Sequence, residues 1–236
     1  MKKLFVAVRQ GDLASVSKTL ADKPTLLHCT ATPPPKKDHG QSLLQVAIKS
    51  GNTAIAEYLL TLGADVNFIE DDTVPGLRQP VLLDAITAII YSLVYRKPVS
   101  SERNFLLLLE MLAMNADLEK CNTLGFSAWQ HAVHEANFLL KSIEVRIETA
   151  EKHAIPCKPE QAKRELEQAK VTIEKLLDTL VKHGANVDKK VTGDENELAF
   201  AGLSAHDVFI LNLADFVDKK SEHYPIRAIL QKYYPE

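Results

Sequence analysis

Glycine is scarce in this chain, with nine residues in 236, about half the usual share. Folds rich in tight turns need more left-handed positions than that, so helices joined by a few repeated turns are favoured over sheets. Long apolar runs are missing as well. The closest approach to one, Leu82 to Val94, is interrupted by Asp84, and a membrane-spanning helix needs roughly 18 to 20 apolar residues. Cysteine is limited to Cys29, Cys121 and Cys157, far apart and without a C-x-x-C pair. That argues against a disulfide framework or a structural zinc site and for a reducing compartment. Neither charge sign dominates, with 28 Lys and Arg against 31 Asp and Glu, so nucleic acid and anionic membrane are not the expected partners. A glycine-rich phosphate loop is lacking too, because Gly193 and Gly202 stand alone.

What remains is an ordinary globular composition, 46% hydrophobic and 25% charged. The start, Met1-Lys-Lys-Leu-Phe-Val-Ala-Val, opens as a secretory signal does. Arg9, Gln10, Gly11 and Asp12 cut its apolar stretch short, and it reads instead as the first helix of the fold.

Internal repetition is the strongest signal. Gly40-Gln-Ser-Leu-Leu-Gln-Val-Ala47 is followed by Gly51-Asn52, by the helical pattern Ile55 to Leu60, and by Gly63-Ala-Asp-Val-Asn67. The closing element recurs as Asn115-Ala-Asp-Leu-Glu119 and Gly184-Ala-Asn-Val-Asp188. The opening element recurs as Pro80 to Ala85, Gly125-Phe-Ser-Ala-Trp-Gln-His-Ala132 and Gly202-Leu-Ser-Ala-His-Asp207. These segments resemble the ankyrin repeat. The resemblance implies an all-α, ankyrin-like helical solenoid of about five helix-turn-helix repeats. The repeats fall at approximately 1–29, 40–71, 78–121, 122–190 and 200–236 of a single domain covering 1–236. Ser42 and Ser127 stand where a hydroxyl caps the first helix of a repeat. Gly63 and Gly184 stand where a left-handed residue ends a helix, with Asn115 as the substitute.

Spacing exposes the departures. The second repeat runs 23 residues from Gly40 to Gly63, whereas Arg78 to Asn115 is 37 and Gly125 to Gly184 is 59. Both insertions fall between the two helices of a repeat. The third repeat is predicted to hold an inner helix from about Val81 to Tyr95, a turn at Lys97-Pro98, and an outer helix capped by Ser100 or Ser101. In the fourth, helices from about Ser127 to Ala154 and from Pro159 or Glu160 to His183 flank a turn at Pro156-Cys-Lys-Pro159. Ala162, Leu166, Ala169, Ile173, Leu176 and Leu180 form a heptad-like stripe, with Ile143, Ile147, Ala150 and Ala154 as its counterpart. A helical-hairpin insertion at approximately 138–172 follows, with its dense outer charge read first as a solvated face. Thr30 to His39, with three consecutive prolines, reads as an exposed loop. Phe68 to Gln79 reads as an enlarged hairpin finger carrying Glu70, Asp71 and Asp72. That acidic triplet serves either loop solubility or a basic partner. Ile226 to Tyr233 is the expected last outer helix.

Constellations with chemistry are thin. His131, His134 and Glu135 read H-x-x-H-E, which matches neither zinc-protease motif, and a third ligand is missing. Ser204, His206 and Asp207 lie too close along one helix to converge as a triad. No cofactor, metal or catalytic residue is assigned. Trp129, the only tryptophan, takes a leucine position of the motif and is expected in the core. The accessible-thiol reading of Cys121 and Cys157 is weaker than an incidental one.

The resemblance implies a non-enzymatic interaction module that binds a partner protein through its finger and inner-helix face and through the arm. The candidate partner-binding residues are Gln41, Asn52, Asp71, Asp72, Arg78, Phe126, His131 and His134. A monomer working in the cytoplasm is expected, with export into a host cytosol left open. The degenerate, interrupted repeats resemble those of bacterial ankyrin proteins, which implies an effector or an immunity-type inhibitor. A eukaryotic adaptor or regulatory subunit stays open, as does a metal-dependent or hydrolytic enzyme near His131, His134 and Glu135.

Overall fold

Helix starts and stops follow from local chemistry. In the computed structural model, which describes residues 1–33, 38–71, 76–93, 98–153, 158–193, 200–211 and 224–235, Asp12 caps one helix by accepting from the Ser15 N–H at 2.9 Å. Ser42 and Gln45 form a capping box at the next opening motif, with Ser42 Oγ accepting from the Gln45 N–H at 3.1 Å. Ser204 and Asp207 form another. Such reciprocal bonds satisfy helix-end N–H groups that would otherwise lack partners. At the closing motifs Gly63, Asn115 and Gly184 have φ of 85°, 61° and 95°. Asn115 is the one non-glycine residue with positive φ among the described residues.

The chain forms two compact units, residues Met1–Ile89 with Val99–Thr123, and Ile90–Pro98 with Leu124–Glu236. The first contains α1 (Lys2–Gln10), α2 (Leu13–Asp22), α3 (Leu43–Lys49), α4 (Thr53–Thr61) and most of α5 (Val81–Ser92) and α6 (Pro98–Ala113). Helices α1 and α2 pair, α3 and α4 pair, and the pairs stack through α1 on α3 and α2 on α4. This stacking is how repeats bury faces that a lone helix pair leaves exposed. The core here is aliphatic, including Val8, Leu43, Leu44, Ile55, Leu59, Leu82 and Ile86. Asn67 links successive closing motifs, donating to the Asn115 carbonyl at 3.2 Å and accepting from the Asp117 N–H at 2.7 Å.

The second unit is dominated by α7 (Ala128–Lys152) and α8 (Lys158–Lys182), each of 25 residues, packed on each other. Ile143, Ile147 and Ala150 from α7 are buried, as are Ala162, Ala169, Ile173, Leu176 and Leu180 from α8. The predicted stripe is therefore the seam, with Leu166 half-buried at its edge. Two short helices, α9 (Ala205–Phe209) and α10 (Arg227–Leu230), complete the described part. No strand occurs among the described residues, only isolated bridges at Thr30 with Ser42 and Val191 with Ala201. The fold is all-helical and built as an ankyrin-like helical solenoid is built, from consecutive helix pairs.

Several expectations need correction. Helix α6 starts at Pro98, not after a cap at Ser100 or Ser101, because proline suits a first helical position where its missing N–H is not needed. Helix α5 stops at Ser92. The last outer helix shrinks to α10, with turns from Gln231 onward. The segment at 30–39 is not wholly exposed. The Ala31 N–H donates to the Gln41 carbonyl at 2.8 Å and the Gly40 N–H to the Ala31 carbonyl at 2.9 Å, which folds its ends into a hairpin that buries Ala31 and Asp38. Asp38 also pairs with Arg9 from α1. Lys97, Tyr95, Ala154 and the turn around Pro156 and Cys157 lie outside the described residues.

Candidate functional site: a partner-binding surface

In the first unit the motif positions divide by surface state. Asp71 is exposed and Arg78 half-buried, at the two ends of the finger. Arg78 is fixed through its backbone, donating to Thr123 Oγ1 at 3.3 Å and accepting from the Thr123 N–H at 3.1 Å. Gln41 is buried, its carbonyl taken by the hairpin. Asn52 caps α1 from a distance in sequence. Its side-chain amide donates to the Val8 carbonyl at 2.8 Å and the Arg9 carbonyl at 3.0 Å, supplying partners that the end of α1 otherwise lacks. Asp72 lies outside the described residues.

The acidic triplet is not one unit. Glu70 is 4% exposed, with its Oε2 accepting from the Gln79 N–H at 3.1 Å and its Oε1 3.6 Å from the Lys49 ammonium. It closes the base of the finger and cannot meet a partner. The Val81 N–H to Phe68 carbonyl bond, 2.9 Å, joins the same two ends. Of the triplet's two described members, Asp71 is the one at the surface.

In the second unit α7 presents the remaining candidates. The Ser127 N–H and hydroxyl donate to Gln130 Oε1 at 2.8 and 2.7 Å, and Gln130 Nε2 donates to the Lys189 carbonyl. This locks the start of α7 against the next closing motif. Phe126 and His131 are buried, whereas His134 is half-exposed. The rings of Phe126, His134 and Phe200 stand 5.3 to 5.9 Å apart, spacings at which tilted rings attract. They line an apolar recess of about 20 Å³ with Val191, Val208 and Phe209. That is room for about one water, far below the roughly 300 Å³ of a small-molecule site. One turn beyond His134, Phe138 is 61% exposed, and Val145 follows it on α7 with half its surface exposed. The recess itself is thus too small for a substrate, and the exposed apolar side chains of α7 lie outside its lining.

His131 points into the core and His134 toward the recess, and among the described residues no three His, Cys, Asp or Glu side chains gather as a metal site. Burial pushes the Glu135 carboxyl up, but His134 at 3.8 Å, His131 and Tyr91 outweigh it and hold the group below the usual carboxylate range. Ser204 Oγ donates to Asp207 at 2.9 Å rather than to a histidine, and the His206 ring packs at a tilt against Tyr234, 4.8 Å between centroids. The hydroxyl is a helix cap, not an activated nucleophile.

Two arrangements escaped the sequence reading. Trp129 is fully buried as expected, yet its indole N–H donates to Tyr234 Oη at 3.1 Å, and Tyr234 Oη donates to the Val187 carbonyl at 2.6 Å. Lys232 reaches Glu174 at 3.0 Å and Asp178 at 2.7 Å, and Tyr233 Oη donates to Asp178 at 2.8 Å. Together they moor the C-terminal segment to α8 and α7. No local pattern announces a contact made 105 residues apart.

One comparison with known proteins agrees with the helix-pair construction at the second pair. A family model of the ankyrin repeat matches residues 39–68, so the second helix pair is similar to an ankyrin repeat, a type of module that mediates protein–protein interaction. Curated proteins give no match. Among solved structures, one chain of the complex of a predatory endopeptidase from Bdellovibrio bacteriovorus with an immunity protein aligns at 18% identity, over 80% of this chain and 85% of that chain, with a TM-score of 0.40. No described helix is long and apolar enough to cross a membrane.

Proposed function

We propose that the chain is a non-enzymatic binding module whose ligand is another protein. The observation that carries this reading is the similarity of residues 39–68 to an ankyrin repeat, a scaffold whose function lies in the surface it presents. Asp71 and Arg78 in the first unit, and His134 with the exposed Phe138 in the second, are the contact residues. Gln41, Phe126 and His131 act from behind, because they are buried, and Asn52 holds α1. An aromatic side chain beside half-exposed polar groups is the composition that dominates interface energetics. The degenerate repeats and long insertions fit a bacterial effector or immunity-type inhibitor, acting as a monomer in a cytosol, its own cell's or a host's. Asp71 and the charged arm would then face a basic surface.

Photo-crosslinking residues placed at Asp71, Arg78, His134 and Phe138 test this directly. The expected result is capture of one and the same partner from these positions, and none from the exposed Lys18 on α2. Asp71→Lys should weaken the complex. Binding that survives both Asp71→Lys and His134→Ala but disappears on removal of residues 141–170 would transfer recognition to the arm.

A further inference from the structure

A buried polar cluster sits where α3, α5 and the two ends of the finger meet in the first unit. Asp84 on α5 is 3% exposed. Its Oδ2 accepts from Gln45 Nε2 at 3.0 Å and its Oδ1 from Gln79 Nε2 at 2.5 Å. Gln45 also donates to the Gln79 carbonyl at 3.0 Å, and the Gln79 N–H donates to Glu70. The groups facing Asp84 are therefore Gln45 and Lys49 from α3 and Glu70 and Gln79 from the finger. Lys49 Nζ stands 3.4 Å from Asp84 and 3.6 Å from Glu70. One ammonium faces two carboxylates, so with all three ionised the cluster holds an uncompensated negative charge away from water, which is costly.

We propose that the Lys49–Glu70–Asp84 cluster is a proton-operated clasp on the base of the finger: proton uptake at Asp84 tightens the junction of Glu70 and Gln79, and proton release loosens it. The proton comes from solvent, and the neutral carboxyl keeps acceptor lone pairs for both amide donors. Lys49 is then left with Glu70 as a balanced pair. Burial, and to a lesser extent the Glu70 charge, raise Asp84 to about 6, against the opposing pull of Lys49, Gln79 and Gln45. The sign follows from linkage. An acid whose pKa is higher in the closed form binds more protons there, so closure strengthens as pH falls from 7 toward 4. Most surface carboxylates act in the opposite direction. The device concerns the first unit's own structure, and its readouts need no partner.

The test is a carboxyl-carbon NMR titration of Asp84 together with amide exchange at Gln79, corrected for intrinsic pH dependence, in the wild type and in Asp84→Asn. An Asp84 midpoint near 6 is expected, with Gln79 protection rising about tenfold between pH 7.5 and pH 5. In Asp84→Asn that rise should vanish. An Asp84 that titrates below pH 4.5 in the folded protein overturns the proposal, and this wild-type measurement decides even if the variant does not fold. A rise in protection that persists unchanged in Asp84→Asn overturns it as well.

Discussion

A Cβ atom placed on Gly125 would lie 1.7 Å from the carbonyl oxygen of Thr192. Gly125 also has φ of 77°, and its carbonyl accepts from the Thr192 N–H at 3.2 Å. The two backbones touch where the opening motif of the fourth repeat meets the loop that follows its closing motif. Only glycine satisfies both the turn and the approach.

Gly125→Ala is therefore expected to destabilise the second unit by about 3 kcal/mol or more, since backbone must move as well as bend. Gly63→Ala supplies the contrast. Its φ is 85°, but nothing lies within 4 Å of the added Cβ, so the cost should be about 1 kcal/mol, that of the left-handed conformation alone. Urea unfolding of both variants checks the difference.

Asn52→Ala should lower stability by about 1 to 2 kcal/mol, because the Val8 and Arg9 carbonyls lose their side-chain donor. Affinity for a partner should not change once the variant is folded. A variant with wild-type stability and weakened binding would return Asn52 to the contact surface.

Tyr234→Phe removes a hydroxyl that accepts from Trp129 and donates to Val187. The buried Trp129 N–H and the half-buried Val187 carbonyl lose their partner, at an expected cost of about 1 to 2 kcal/mol. Because Trp129 is the sole tryptophan, its fluorescence reports this unit alone, and a changed emission with earlier unfolding is the expected signature.

Lys49→Met removes the cation facing Glu70 and Asp84, and because the lysine is itself exposed the expected cost near neutral pH is about 1 to 2 kcal/mol. The loss should shrink toward pH 5, where Asp84 takes up a proton. A pH series of denaturation midpoints distinguishes this from simple loss of lysine packing, which would be independent of pH.

Much of the helical plan could be read from the chain, because capping and helix termination are local. Ser42, Gly63, Asn115 and Gly184 each declare a helix boundary through their own side chain or its absence, and the structure uses each that way. The seam between α7 and α8 was legible for a related reason, since a stripe at steps of three and four can only face one direction on a helix. The surface was harder. Phe126, His131 and His134 sit within nine residues of one another, yet two are buried and one is not, and the ring of Phe200 that packs on Phe126 and His134 comes from far along the chain. Glu70 looked like part of a solvated acidic run because its lysine lies 21 positions upstream on another helix. Asp84 inside an apolar run was the one visible sign of that cluster.

The heptad spacing along α8 also gives the arm a unit of length. Removing seven residues from each of the two helices keeps the seam in register while shortening the pair by about 10 Å. The length of the helix pair can therefore change in seven-residue steps while its seam stays in register, which makes the insertion a stepwise element whose size is set independently of its packing.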